Sequence, residues 1–153
     1  MKKLTVILLL LVLIGTSAVF AGKARDGIGA GLVTGIPFHI GATGEYNFGS
    51  AYAAADVGYG SNSFLLRLGG GYNFPTPFIQ SDWGLDLYLS VGGNLGLYFS
   101  KFATLVSVGI PVTWTWYMDD YPVKIFVKAG PEIIVNWGGA LGFTGSAGAY
   151  YLF

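Results

Sequence analysis

The sequence predicts an all-β protein: an eight-stranded antiparallel up-and-down transmembrane β-barrel. Three observations lead to this prediction. The 153 residues are 53% hydrophobic but only 10% charged, against about 25% in soluble proteins. Beyond residue 21, apolar and polar side chains alternate with a period of two, which is typical of a strand with two different faces. The charges within these strands all fall on the less apolar of the two faces.

The N-terminus has the three-part pattern of a secretory signal peptide. Met1-Lys2-Lys3 is a short basic start, residues 4–14 form an apolar core, and Val19-Phe20-Ala21 ends in a small residue. The pattern predicts cleavage after residue 21 and a barrel domain over residues 22–153. The alternative is an uncleaved anchor helix, for which the apolar core is short.

The composition of residues 22–153 excludes several classes of function. Six basic and eight acidic residues give a formal charge of −2 with no basic patch, so a nucleic-acid partner is not expected. The chain has no cysteine, which excludes disulfides, thiolate metal sites, a cysteine nucleophile and a lipid-anchored cysteine.

The alternation predicts eight strands in order. The first four fall at about 27–35, 38–48, 51–60 and 64–74, with turns at Gly49-Ser50 and Ser61-Asn62-Ser63. A longer link over 75–83 leads to a strand over 85–100, in which every odd position except Gly93 is aliphatic or aromatic. Strands over 102–118, 121–137 and 140 to the C-terminus complete the set. Lys101 and Asp119-Asp120 leave room only for tight hairpins.

Two prolines lie inside alternating segments, although a closed barrel has no free edge to hold them. Counted from the Asp119-Asp120 turn, Pro111 lies about 20 Å and Pro131 about 25 Å away along the barrel axis. Both positions fall near the far membrane interface, where a bulge or a break in the ladder is tolerable. The hairpin centred on Lys101 is then expected to project beyond the membrane.

The charged and aromatic residues indicate which face meets lipid. The charges within strands are predicted to form a network in the lumen: Glu45, Asp56, Arg67, Asp86, Lys124, Lys128 and Glu132. The opposite face carries no charge, and its aromatic residues collect near both strand ends, as at the two interfaces of a membrane. A soluble β-sandwich would instead expose a face rich in charged residues.

The C-terminal strand ends in Ala149-Tyr150-Tyr151-Leu152-Phe153. With this ending, the chain resembles the small eight-stranded outer-membrane barrels of diderm bacteria. The resemblance implies that Tyr151 and Phe153 belong to the signal read by the barrel-assembly machinery. It also implies an outer-membrane location, contact with periplasmic chaperones during export, and both termini in the periplasm.

A narrower resemblance covers roughly the last fifty residues. Val108-Gly109-Ile110-Pro111-Val112, the segment 122–131 and the glycine-rich run into Phe153 are similar to a family of small barrels from spirochaetal outer membranes. That family tends to carry acidic residues where Lys124 and Lys128 stand here, so its interior charge pattern is not transferred.

The expected function is structural or surface-exposed, with a lumen filled by side chains, because eight strands leave little interior space. The alternatives are a narrow porin-like channel and a surface adhesin or binding protein that uses the hairpin around Lys101. Catalysis is not expected. His39 is the only histidine and Glu45 lies six residues away on the same face, about 20 Å along the strand. No metal or cofactor is predicted. The expected partners are outer-membrane lipid, the barrel-assembly machinery and periplasmic chaperones, and the protein is expected to be a monomer.

Overall fold

The computed structural model describes residues 26–80, 86–118 and 121–153. They form nine strand segments: β1 (Gly27–Ile36), β2 (His39–Phe48), β3 (Ala51–Gly60), β4 (Ser63–Asn73), β5 (Leu87–Ser100), β6 (Thr104–Gly109), β7 (Val112–Tyr117), β8 (Val123–Ile134) and β9 (Ala140–Leu152). The predicted signal peptide, residues 81–83 of the predicted 75–83 link and the Asp119-Asp120 turn lie outside the described residues. Within the described ranges, no helix is long and apolar enough to cross a membrane.

The strands pair only with antiparallel neighbours and close on themselves. β6 and β7 lie in one line between β5 and β8, so the nine segments fill eight positions of the wall. β4 pairs with β5, and β9 pairs with β1. The predicted closed barrel of eight antiparallel strands is therefore confirmed.

The stagger of the strands fixes the width of the barrel. Starting from Leu89 of β5 and moving from partner to partner round the wall, the path returns to β5 at Phe99, ten residues further along. With eight strands, this stagger corresponds to a strand tilt of about 40° and a wall radius of about 8 Å. Side chains can span such an interior from one wall to the other.

Pro111 divides the segment predicted as one strand over 102–118. β6 ends at Gly109 and β7 begins at Val112, yet Gly109 opposite Glu132 and Val112 opposite Ala129 keep the same register. No residue is inserted, so the feature is a break in the ladder and not a bulge. Neither proline can donate a backbone hydrogen bond, but both accept one. Gly92 N–H of β5 donates to the Pro111 carbonyl, and Ile110 N–H donates to the Pro131 carbonyl of β8, both at 3.1 Å.

Two short turns follow the predicted chemistry. Ser61 and Asn62 both have positive φ, at 50° and 59°, as the two-residue type I′ hairpin requires. Ser63, predicted as part of this turn, is the first residue of β4. Gly49 has φ of 66° in the turn between β2 and β3, where glycine carries no steric penalty.

The wall has an apolar outside and a polar inside. We call the end that holds Phe153 the C-terminal end and the opposite one the distal end. On β4, the exposed residues Phe64 and Tyr72 lie eight residues apart, and so do Phe143 and Tyr151 on β9. Eight residues on a strand tilted by about 40° rise about 20 Å along the axis. These residues belong to two exterior aromatic belts, the distal belt and the C-terminal belt.

Candidate functional site: charged side chains across the lumen

The structure places the predicted interior charges at several heights inside the barrel. Buried inside are Glu45, Asp56, Arg67, Lys124 and Glu132. Lys128 is largely buried, with 12% of its side chain exposed. Asp86 is partly buried, one residue before β5 begins. Burying these charges requires partners, because removal from water is costly for an isolated ion.

The level nearest the C-terminal end is an ion pair between Lys124 of β8 and Glu45 of β2, joined through Lys124 Nζ and Glu45 Oε1. Asn47 Nδ2 also donates to Glu45 Oε1, at 2.5 Å. Asn47 in turn accepts a hydrogen bond from Asn73 at 2.8 Å, and Asn73 accepts one from Ser90 at 2.6 Å. A connected polar chain therefore runs from β8 across the lumen to β5.

An aromatic pair lies beside this ion pair. The rings of Phe126 and Tyr150 stack with their centroids 4.7 Å apart, and both residues are almost fully buried together with Val33. Lys124 Nζ lies 5.2 Å from the centre of the Tyr150 ring, a favourable position for a cation over an aromatic face. A charged pair and an apolar cluster are thus in contact within this part of the lumen.

The middle level joins Lys128 of β8 to Asp56 of β3, with 3.7 Å between Nζ and Oδ2. These strands lie four positions apart in the eight-position wall, so the pair crosses the full diameter. The Thr43 hydroxyl donates to Asp56 Oδ1 at 2.5 Å. Since that hydrogen is used, the Tyr150 hydroxyl donates to Thr43, at 2.9 Å. Asp56 is therefore held by both a charge and a neutral donor.

The third level is built on Arg67 of β4. Its Nη2 donates to the Thr144 hydroxyl of β9, on the opposite wall, and to the Tyr98 hydroxyl, both at 2.9 Å. The Tyr98 hydroxyl donates onward to Glu132 Oε2 at 3.3 Å. The Tyr98 hydroxyl therefore bridges the Arg67 guanidinium and the Glu132 carboxylate.

A cavity of about 20 Å³ lies between the Arg67 and Lys128 levels. It is lined in part by Tyr52, Asp56, Arg67, Asn94 and Lys128. Within the described part of the chain, Arg67 Nε and Asn94 Oδ1 are buried without a hydrogen-bond partner. Both a donor and an acceptor on the lining of this cavity are therefore unsatisfied.

His39 is buried at the distal end and donates from Nδ1 to the Pro37 carbonyl at 2.8 Å. Its Nε2 has no partner among the described residues. Glu45 stands six residues further along β2, paired with Lys124, so the two residues do not form an acid–base pair. Among the described residues, no group of three His, Asp or Glu side chains is placed to hold a metal ion.

The predicted assembly residues lie together at the C-terminal end. The rings of Tyr151 and Phe153 meet edge to face at 5.2 Å. Phe153 N–H donates to the Ile28 carbonyl at 2.9 Å, which extends the seam between β9 and β1 to the last residue.

Several members of the network carry no charge and were not predicted as site residues: Thr43, Asn47, Asn73, Ser90 and Thr144. One signal could have found them. Each occupies an inward position of its strand: Asn47, for example, is in phase with Glu45, whereas Thr144 lies on β9, which carries no charge. Which inward residues meet depends on the stagger of ten residues, and period-two alternation does not contain that quantity.

No family model matches the chain, and the searches of curated proteins and of solved structures give no match either.

Proposed function

We propose that the chain is an integral outer-membrane β-barrel protein with a closed, side-chain-filled lumen and a structural or surface-exposed role. The uncharged exterior carries this proposal. Among the described strand residues, none on the outer face is charged, while large apolar side chains such as Leu32 (70% exposed) and Ile40 (63% exposed) stand in the open. Soluble proteins rarely expose so continuous an apolar surface.

Closure of the barrel supports a place in lipid. Hydrocarbon offers no hydrogen-bond partner to the backbone, so only helices and closed barrels span it. The separation of about 20 Å between the aromatic belts is close to the apolar band of about 25 Å in outer-membrane barrels. Export by the predicted signal peptide, and insertion guided by Tyr151 and Phe153, are parts of the same proposal.

Heat-modifiable gel mobility tests the membrane barrel. Residues 22–153, refolded in detergent, should migrate differently before and after boiling, and the cellular protein should remain in the membrane fraction after alkaline extraction. A protein that stays in solution without detergent, with the same mobility in both gel samples, would instead be a soluble β protein.

The polar lumen favours a second candidate, a narrow channel. Charged side chains line the interior from Lys124 near the C-terminal belt to Arg67 nearer the distal belt, which a purely apolar core would not require. Planar-bilayer recording separates the candidates. The closed-lumen proposal expects no discrete conductance steps from the wild-type protein. Steps that disappear on neutralising Arg67, Lys124 and Lys128 would establish the channel.

A further inference from the structure

The two halves of the lumen differ in how well their interior is filled. Phe126 and Tyr150 near the C-terminal end, and Val33 nearer the middle of the barrel, form one buried cluster and are 0%, 1% and 2% exposed. The Lys124–Glu45 pair packs against them, and Glu45 also accepts from Asn47. Tyr150 directly precedes Tyr151 of the C-terminal belt, so this layer lies near that membrane interface. The Val33 and Phe126 side chains offer water no hydrogen bond, and the Tyr150 hydroxyl already bonds to Thr43.

The cavity beside Arg67 lies further towards the distal end. Arg67 is three residues from Phe64 of the distal belt and five from Tyr72 of the C-terminal belt on the same strand. It is only 4% exposed, and its Nε has no partner. Leaving a buried donor unsatisfied is destabilising, and more so when the group is charged, so a ligand that accepts a hydrogen bond from Arg67 Nε is stabilising here.

The chemistry of the lining selects water as that ligand. An anion would meet the Asp56 carboxylate and Asn94 Oδ1, and a cation would meet Arg67 and Lys128. Water can accept from Arg67 Nε–H and donate to Asn94 Oδ1, which satisfies both atoms at once. A volume of about 20 Å³ exceeds the roughly 10 to 15 Å³ that one water requires.

We propose that the permeability barrier of the barrel is the dry layer formed by Val33, Phe126 and Tyr150, and that the Arg67–Asn94 cavity holds ordered water. This inference rests on the proposed closed lumen and assigns the closure to one level. The Arg67 level crosses the lumen as well, but it is a hydrated level, and in this proposal its side chains are not the barrier.

Hydroxyl-radical footprinting of the refolded wild-type protein tests the placement of water without any substitution. Radicals generated by radiolysis of bound water oxidise the side chains beside it. Tyr52 lines the cavity and Tyr150 does not, and both are buried lumen tyrosines. Oxidation of Tyr52 with Tyr150 protected is the expected result. Equal oxidation of the two would place water in the apolar layer and overturn the proposal.

Planar-bilayer recording of two matched double variants tests the barrier. Phe126→Ala/Tyr150→Ala removes the apolar layer, whereas Leu65→Ala/Tyr98→Ala removes two large inward side chains near the distal end. Both are first checked for heat-modifiable mobility. The first variant should show discrete conductance steps, and the control should remain as silent as the wild-type protein.

Each outcome separates this inference from the proposed function. Steps from the control alone, or silence from both folded variants, would place the barrier elsewhere and overturn the inference while the closed wild-type lumen stands. Steps from the wild-type protein would overturn the closed lumen itself.

Discussion

The outer and inner faces of the barrel wall use the same backbone but opposite chemistry. On β4, the outward residues Phe64, Leu68 and Tyr72 are exposed and apolar, whereas the inward Arg67 is buried and hydrogen-bonded. In a water-soluble protein the charges would be outside and the apolar residues inside. The proposed membrane location would account for this inversion, because an ion that faces away from lipid can be solvated by protein partners inside the barrel.

The two faces also differ in how each residue depends on its neighbours. An outward Leu or Val needs only an apolar medium, so another apolar residue can replace it. An inward charge needs a particular partner at a particular height, such as Glu45 for Lys124. Substitutions inside the barrel should therefore have larger and more specific effects than conservative ones outside.

The largest expected effect comes from removing Lys124. Lys124→Ala leaves Glu45 buried without its cation, and loss of one member of a buried pair costs about 3 to 5 kcal/mol. Urea titration of folding into lipid vesicles, followed by gel mobility, measures the loss. Lys101→Ala is the control, because Lys101 is exposed in the turn between β5 and β6 and should change stability by less than about 0.5 kcal/mol. Equal effects of the two would contradict the inner network.

A charge placed on the outer face should have the next largest effect. Leu68 lies midway between Phe64 and Tyr72 and is 49% exposed. Leu68→Arg should destabilise folding into vesicles by about 2 to 4 kcal/mol, as expected for a charge at the bilayer midplane. Thr104→Arg is the matched control on the same outer face near the distal tip of β6, with an expected loss of about 1 kcal/mol or less. If Leu68→Arg were neutral, lipid would not surround this face.

Removing Lys128 at the middle level should have a smaller effect than removing Lys124. Lys128 is less buried than Lys124, and its Nζ is 3.7 Å from Asp56. Asp56 also keeps its hydrogen bond from Thr43 when Lys128 is removed. Lys128→Ala should therefore cost about 1 to 3 kcal/mol, between the limits for exposed and buried pairs. The same vesicle titration checks the order, and a loss larger than that of Lys124→Ala would reverse the ranking of the two levels.

The sequence predicted the wall much better than it predicted the contacts across the lumen. Local alternation and turn residues locate strands such as β3, whose predicted and observed bounds agree. The partners of Arg67 could not be predicted, because Thr144 lies on the opposite wall and the contact depends on how the whole sheet closes. For the same reason, the contacts of Tyr98 with Arg67 and Glu132 could not be predicted.

The smallest effect is expected for Pro111→Ala, which alters the backbone hydrogen-bond ladder of the wall. Pro111 lacks the N–H that would pair with Gly92, although Gly92 N–H still donates to the Pro111 carbonyl at 3.1 Å. A Cβ at the neighbouring Gly130 would lie 2.3 Å from the Ile110 carbonyl oxygen, so this glycine permits the close approach of β8. Pro111→Ala restores a hydrogen bond worth about 0.5 to 1.5 kcal/mol. It also frees the unfolded chain, which offsets about 0.4 to 1 kcal/mol.

The net change for Pro111→Ala should therefore be within about 1 kcal/mol of zero. Gly130→Ala should be clearly destabilising, because the added Cβ meets fixed backbone atoms rather than a movable side chain. Vesicle titration of both variants measures the contrast. A large loss for Pro111→Ala would mean that the fixed proline geometry holds β6 and β7 in line. A neutral Gly130→Ala would mean that the strands can separate at this point, and the unbroken register would then not depend on close approach.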